Sequence, residues 1–492
     1  MISGAAVVVP APPHCATDEL ALLDATAQAE LVRRNEVSAK ELVQAAITRI
    51  EALNDPDSGL NAVIHRRFEQ ALTEADGPLP DGPFCGVPFL LKDLWPSSAG
   101  DPMHLGNVAM KAAGYRAPTD ANLVRRYRAA GFVFVGRTNT PELGLVATTE
   151  PLAYGPTRNP WNLMHGPGGS SGGAAAAVAA RLVPIANASD GGGSIRIPAS
   201  ACGLIGLKPS RGRNSMGPAQ DEWGVSVQHV VALSVRDCAL ALDATCRPFP
   251  GDGVIAPPPP DGTFAAALER QPVALRIGVL AVSPACDTDP QCSAVAVATA
   301  ARLAILGHDV RESYPSVLDG LAAFGAQFST QWAVNAAANV ARMGRLIGRE
   351  LGPDDVEPTT QLLVDMGRRA TALELNESMA AMTAMRRALA LWWADATEAD
   401  DGQGFDILVT PTMAAPPPLL GLLATSATDP IRPFRESTPF ATFTSFANAS
   451  GLPAISVPVG TSSDGLPIGV QLVAAYGRED QLLQLAAQLM AP

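Results

Sequence analysis

The sequence predicts a layered α/β protein built as one large domain, and three observations carry that prediction. From Asp120 an amphipathic helix with Leu123, Val124 and Tyr127 on its inner face ends at Gly131 and leads directly into the apolar strand F-V-F-V-G. Near the C-terminus, A-I-S-V-P-V-G and I-G-V-Q-L-V-A flank T-S-S-D-G-L-P, a pattern of two strands joined by a turn at Asp464 and Gly465. Apolar residues form 47% of the 492 and charged residues 17%, enough to bury a large core around one sheet. At about 150 residues per domain the length alone would suggest three domains. Large α/β enzymes routinely exceed that prior, however, and no long linker divides this chain, so residues 1–492 are taken as one domain.

The remaining elements follow from local signals. Ser38 and Glu41 form a capping box ahead of Leu42, Val43, Ala46, Ile47, Ile50 and Leu53, which share one helical face. Residues 174–182 are mostly alanine, a strong helix former whose small side chain permits close packing. Residues 246–264 are too rich in proline and glycine for the interior of any element and are expected to be a surface crossover. A helical stretch over 320–400 carries Phe324, Phe328, Trp332, Trp392 and Trp393 and is expected to wall a pocket. A short helix closes the chain, and there is no internal repeat.

Composition excludes several function classes. Lysine and arginine number 35 against 48 acids, a net charge of −13. That is too acidic for a protein that binds phosphate backbones, and the charge is read as serving solubility. The seven cysteines form an odd set without a C-x-x-C pair, which argues against a disulfide framework and for a reducing, cytoplasmic setting. The first residues lack the basic flank of a signal peptide, and no charge-free apolar stretch is long enough to span a bilayer. No metal-ligand spacing and no phosphate-binding loop of the G-x-x-x-x-G-K type occurs. Hence no cofactor, metal, nucleic acid or membrane is expected, and the partner is a small molecule.

The chemistry concentrates in three places. The apolar run F-C-G-V-P-F-L-L ends in Lys92, while Ser170 lies in G-P-G-G-S-S-G-G and Ser194 in S-D-G-G-G-S-I-R-I-P. A serine bedded in glycine is open to substrate and ringed by backbone N–H groups, as an acyl-transfer nucleophile requires. A lysine can serve as base only when neutral, which requires its usual pKa of about 10.4 to fall by roughly 3 units through desolvation. Asp93 would oppose that fall if its carboxylate pointed the same way. The N–H groups of Gly191, Gly192, Gly193 and Ser194 are candidate oxyanion donors. Asp190 and Arg196 flank this loop and are expected to brace it, with Ser171 as a supporting hydroxyl. Gly169 to Gly173 also satisfies G-x-S-x-G, the nucleophile elbow of α/β-hydrolases. That pattern needs a preceding strand, yet N-P-W-N-L-M-H-G-P is turn-like, and its histidine would have to be His229 or His308.

Taken together these segments resemble the amidase signature family of serine hydrolases. The resemblance extends through R-T-N-T-P-E, T-R-N-P-W-N, I-P-A-S-A-C-G-L-I-G-L-K-P-S-R-G-R and G-L-P-A-I-S-V-P-V-G. Within that family, T-T-E-P, R-N-P-W-N-L and V-Q-L-V-A-A-Y-G-R-E-D are similar to the aminohexanoate cyclic-dimer hydrolases. The resemblance implies a central mixed sheet covered by helices on both faces. It also implies a triad of Lys92, Ser170 after a cis peptide and nucleophilic Ser194, with Ser170 relaying the proton. The implied activity is hydrolysis of amides through an acyl-enzyme, nylon-type oligoamides included, with carbamates (urethanes) and esters open to the same chemistry. The expected state is a monomer or homodimer. Trp332, Phe328 and His165 are candidate substrate contacts, weighed against a core tryptophan and a solvated loop histidine. Two alternatives stay open: a glutamine amidase subunit of a tRNA-dependent amidotransferase, and a non-catalytic binding protein on the same scaffold.

Overall fold

The computed structural model describes residues 11–260, 262–270, 272–394 and 402–491. Eleven strands among them join in one sheet: β1 (Val63–Arg66), β2 (Pro88–Lys92), β3 (Val133–Thr138), β4 (Ile185–Asp190), β5 (Ile205–Lys208), β6 (Val227–Ala232), β7 (Arg276–Val279), β8 (Asp309–Arg311), β9 (Ile407–Pro411), β10 (Ala454–Thr461) and β11 (Pro467–Ala474). Their order is β1-β3-β2-β4-β6-β5-β10-β11-β9-β7-β8. The sheet is mixed, as expected. β2 runs parallel to β3 and β4, and β7 parallel to β8 and β9, whereas the β4–β6–β5–β10–β11 stretch is antiparallel.

Central strands covered on both faces read as continuous apolar runs rather than alternating ones. Every residue of β2, β3, β4, β6 and β11 is buried. On one face pack the capped helix Ala39–Leu53 and the helix Gly172–Ala179, whose eight residues are all buried against β4 and its neighbours. Alanine and glycine make that approach possible, because larger side chains would hold the helix off the sheet. Tyr127 and Leu123 of the helix Asn122–Ala129 cover the other side of β2 and β3. The hairpin of β10 and β11 turns at Gly465, whose φ of +78° suits glycine. The described residues between Cys246 and Phe264 form neither helix nor strand.

The helical stretch resolves into Leu321–Ile347, Pro358–Arg369 and Ala372–Trp393. Its aromatic residues divide into two groups. Trp392 is buried and stacks on Phe405 at 4.3 Å, and Trp393 meets it edge-on while donating from Nε1 to the Asp406 carbonyl. These two tryptophans belong to the core beside β9, not to a pocket wall. Residues 395–401, at the end of the predicted stretch, lie outside the described residues. All seven cysteines are free, and no helix among the described residues is long and apolar enough to cross a membrane.

Candidate active site

Ligand sites in sheets of this kind form beyond the carboxyl ends of parallel strands. Here β2 and β4 run parallel side by side and end at Lys92 and Asp190. Strand β2 therefore delivers the lysine, and β4 delivers the loop that carries Ser194.

Lys92 is wholly buried, and its Nζ lies 2.7 Å from Ser170 Oγ and 2.9 Å from Ser189 Oγ. Burial pushes its ammonium down to about 7, against a smaller opposing pull from the Asp190 carboxylate. Asp93, the feared opponent, faces away and accepts the His104 N–H at 2.9 Å. Arg137 of the R-T-N-T-P-E segment donates to the carbonyls of Lys92 (2.9 Å) and Pro96 (2.6 Å), which fixes the chain as it leaves β2.

The Gly169–Ser170 peptide is cis. Gly169 presses on the Thr148 backbone so closely that a Cβ there would lie 2.1 Å from its carbonyl oxygen. Only glycine fits. The Ser171 hydroxyl donates to the Ser189 carbonyl (3.1 Å) and accepts the Ser189 N–H (3.2 Å), tying the Ser170 loop to the end of β4.

Asp190 organises the next loop. Its carboxylate accepts the N–H groups of Gly193 (2.7 Å) and Ile195 (3.1 Å), two bonds of 2.9 Å from Arg196, and one of 2.9 Å from Asn448. Burial alone would raise this carboxyl, but the Arg196 guanidinium and the Lys208 ammonium outweigh it and hold it at about 2. Arg196 is buried too, and it donates onward to the Thr444 carbonyl (2.9 Å), Gln471 Oε1 (2.6 Å) and Asn448 Oδ1 (2.6 Å). Gly193 has φ +140°, and a Cβ there would meet Thr444 Oγ1 at 2.4 Å.

This arrangement corrects one expectation. Gly193 is not available as an oxyanion donor, because its N–H is donated to Asp190. The N–H groups of Gly191, Gly192 and Ser194 have no partner among the described residues.

Ser194 stands where two cavities meet. One, of about 270 Å³, includes Ser170, Ser189, Gln220, Asn335, Asn339 and Arg342 in its wall. The other, of about 380 Å³, is apolar, with Ile197, Leu321, Phe324, Phe328 and Phe434. Trp332, half-buried, borders both: its ring edge covers Gly191, its Nε1 donates to the Leu145 carbonyl (3.2 Å), and it stacks on Phe328 at 5.5 Å.

Trp332 and Phe328 thus sit where pocket residues were expected. His165 does not: its Nδ1 bonds the Pro417 carbonyl at 2.8 Å and it lines neither cavity. The histidines that a nucleophile elbow would need are engaged elsewhere, His229 with the Cys238 carbonyl and His308 with Gln488. Ser189 was missed from the sequence. Its only signal there is the alternation A-N-A-S-D in β4, which puts Asn187 and Ser189 on one face; Asn187 Oδ1 accepts the Lys92 N–H at 3.3 Å.

The amidase family profile matches residues 41–483. The chain is 46% identical over 477 residues to a 6-aminohexanoate-cyclic-dimer hydrolase of Paenarthrobacter ureafaciens, covering 95% of this chain and 94% of that protein. It is also 46% identical over 484 residues to the protein of the same name from Pseudomonas sp. (strain NK87), again covering 95% and 94%. A solved structure of a 6-aminohexanoate cyclic dimer hydrolase superposes with a TM-score of 0.89 at 45% identity, over 96% of this chain and 97% of that one. Sheet, site and sequence agree, and the chain belongs to the amidase family of hydrolases.

Proposed function

We propose that the protein hydrolyses amides through Ser194 as nucleophile, with Ser170 and Lys92 as its proton relay. The observation that carries the reading is the 2.7 Å contact between Lys92 Nζ and Ser170 Oγ, buried beside a cavity that Ser194 also lines. Burial favours neutral lysine, and a hydroxyl can accept and donate at once, so Ser170 can pass a proton either way. Ser194 attacks the carbonyl carbon, and its proton moves through Ser170 to Lys92. Gly191, Gly192 and Ser194 supply N–H groups for the oxyanion. When the C–N bond breaks, Lys92 returns the proton through Ser170 to the leaving nitrogen. Water then cleaves the ester along the same relay, giving acid and amine.

The relatives' names point to cyclic oligoamides of 6-aminohexanoate as substrates. Carbamates pass through the same tetrahedral chemistry and belong to the proposed range. The test is covalent labelling by a small fluorophosphonate with peptide mapping, run beside hydrolysis of anilides, cyclic and linear oligoamides and carbamates. The adduct is expected on Ser194, with label and turnover both lost in Ser194→Ala. More than a few per cent of the wild-type rate in that variant rules the assignment out.

A further inference from the structure

The two cavities are not equivalent with respect to the relay. Ser170 and Ser189, the hydroxyls bonded to Lys92, line the smaller cavity and not the larger. The larger has Gly169 and Gly192 in their place. When the tetrahedral intermediate collapses, the electron pair of the C–N bond goes to nitrogen, which takes a proton from Ser170 as Lys92 resupplies it. The leaving nitrogen must therefore lie on the Ser170 side. This puts the amine half of the substrate in the smaller cavity and the acyl half among Ile197, Phe324 and Phe328.

The wall of the smaller cavity also carries a cation held in place by its neighbours. Asn335, Asn339 and Arg342 follow one face of the helix Leu321–Ile347. The Arg342 guanidinium lies 4.4 Å over the Trp95 ring and donates from Nη1 to the Ala219 carbonyl at 2.5 Å. Trp95 itself holds an unusual φ of +66°. Among the described residues no carboxylate pairs with Arg342. Asp221 lines the same cavity, but it is exposed and its Oδ1 accepts the Trp223 N–H at 2.9 Å. A guanidinium fixed by a ring and a carbonyl, with further N–H groups unpaired, is shaped to receive a planar anion.

We infer that Arg342 is a specificity-determining residue that reads a carboxylate on the amine half of the substrate. The preferred class is then N-acyl amino acids with an apolar acyl group, including N-acyl aminobenzoates. The inference rests on the amide-hydrolase reading above.

The test compares N-acyl-4-aminobenzoate with the matching N-acylaniline in the wild type, Arg342→Gln and Arg342→Lys. The ratio of their kcat/KM values should fall about 10- to 100-fold in Arg342→Gln, through KM, and recover only in part in Arg342→Lys, which restores the charge but not the planar fork. A second readout does not depend on turnover. 4-Aminobenzoate should protect Ser194 from fluorophosphonate at lower concentration than aniline does, and the difference should vanish in Arg342→Gln. An unchanged ratio, or a dependence on Arg342 that appears instead when the carboxylate is on the acyl half, overturns the inference. Normal labelling of Ser194 alongside that result overturns it alone. Hydrolysis that survives Ser194→Ala overturns the amide-hydrolase reading beneath it.

Discussion

Lys92 Nζ and Ser170 Oγ are 2.7 Å apart across 78 residues of chain, the lysine wholly buried and the serine at the wall of the smaller cavity. Lys92 ends the interior strand β2 and Ser170 lies in the loop before the helix Gly172–Ala179, so their contact exists only in the folded protein. The consequences for activity follow from which proton state that contact favours.

Lys92→Ala should damage amide hydrolysis far more than hydrolysis of a matched activated ester, whose leaving group needs no returned proton. In the wild type, kcat/KM should rise with pH along an acid limb centred near 7, as Lys92 loses its proton. Parallel pH–rate profiles for one ester and one amide check both points, and equal losses on the two substrates would count against Lys92 as proton carrier.

The same burial has a signature in stability. Lys92 titrates at about 7 in the folded protein against 10.5 in the unfolded chain, so between these values the unfolded chain binds a proton that the folded one does not. Wild-type stability therefore gains from this group as pH rises through that window, and the full cost of burying lysine is felt at pH 7 and below. Lys92→Met removes that cost. Its advantage in unfolding free energy should shrink by on the order of 3 kcal/mol from pH 7 to pH 9.5. Lys208 is depressed into the same range but is present in both proteins and cancels. Denaturant unfolding at the two pH values measures the difference.

Asp190→Asn should leave Arg196 buried without its counter-charge, a loss of about 3–5 kcal/mol, read as a fall in melting temperature. It also removes the charge that pulls the Lys92 ammonium upward. The acid limb of whatever activity survives should thus move to lower pH. A limb that stays in place would mean that Asp190 acts on the loop geometry alone.

Trp332 borders both cavities, so its truncation should change the ranking of substrates rather than only the rate. Trp332→Ala is expected to alter relative kcat/KM values tenfold or more across acyl groups of different size, while a small probe still labels Ser194 at a normal rate. A common loss on all substrates with a sharp fall in melting temperature would instead make it a core residue.

The parts of this site legible in the sequence are those whose signal is local. An apolar run that stops at Lys92 shows a lysine at a strand end, and glycines around Ser170 and Ser194 show loops with exposed backbone. Ser189 carries only the alternation of β4, and Asn448 and Gln471 carry no local signal, since each acquires its role from strand pairing or from segments hundreds of residues away. Gly193 misled for a related reason: a glycine run predicts several free N–H groups, but only the fold shows that Asp190 takes one of them. The aromatic stretch likewise gave no way to separate Trp332 from Trp392, because both stand on long helices and only packing divides pocket wall from core.

The anchoring of Arg196 sets a condition on synthesis. The loop that presents Ser194 is held through Arg196 by Thr444, Asn448 and Gln471, residues that leave the ribosome about 250 to 280 residues after it. A nascent chain with Lys92, Ser170 and Ser194 already emerged still lacks the partners that hold its Ser194 loop. The Ser194 loop is thereby left unbraced until residues 444–471 have emerged and folded back onto Arg196.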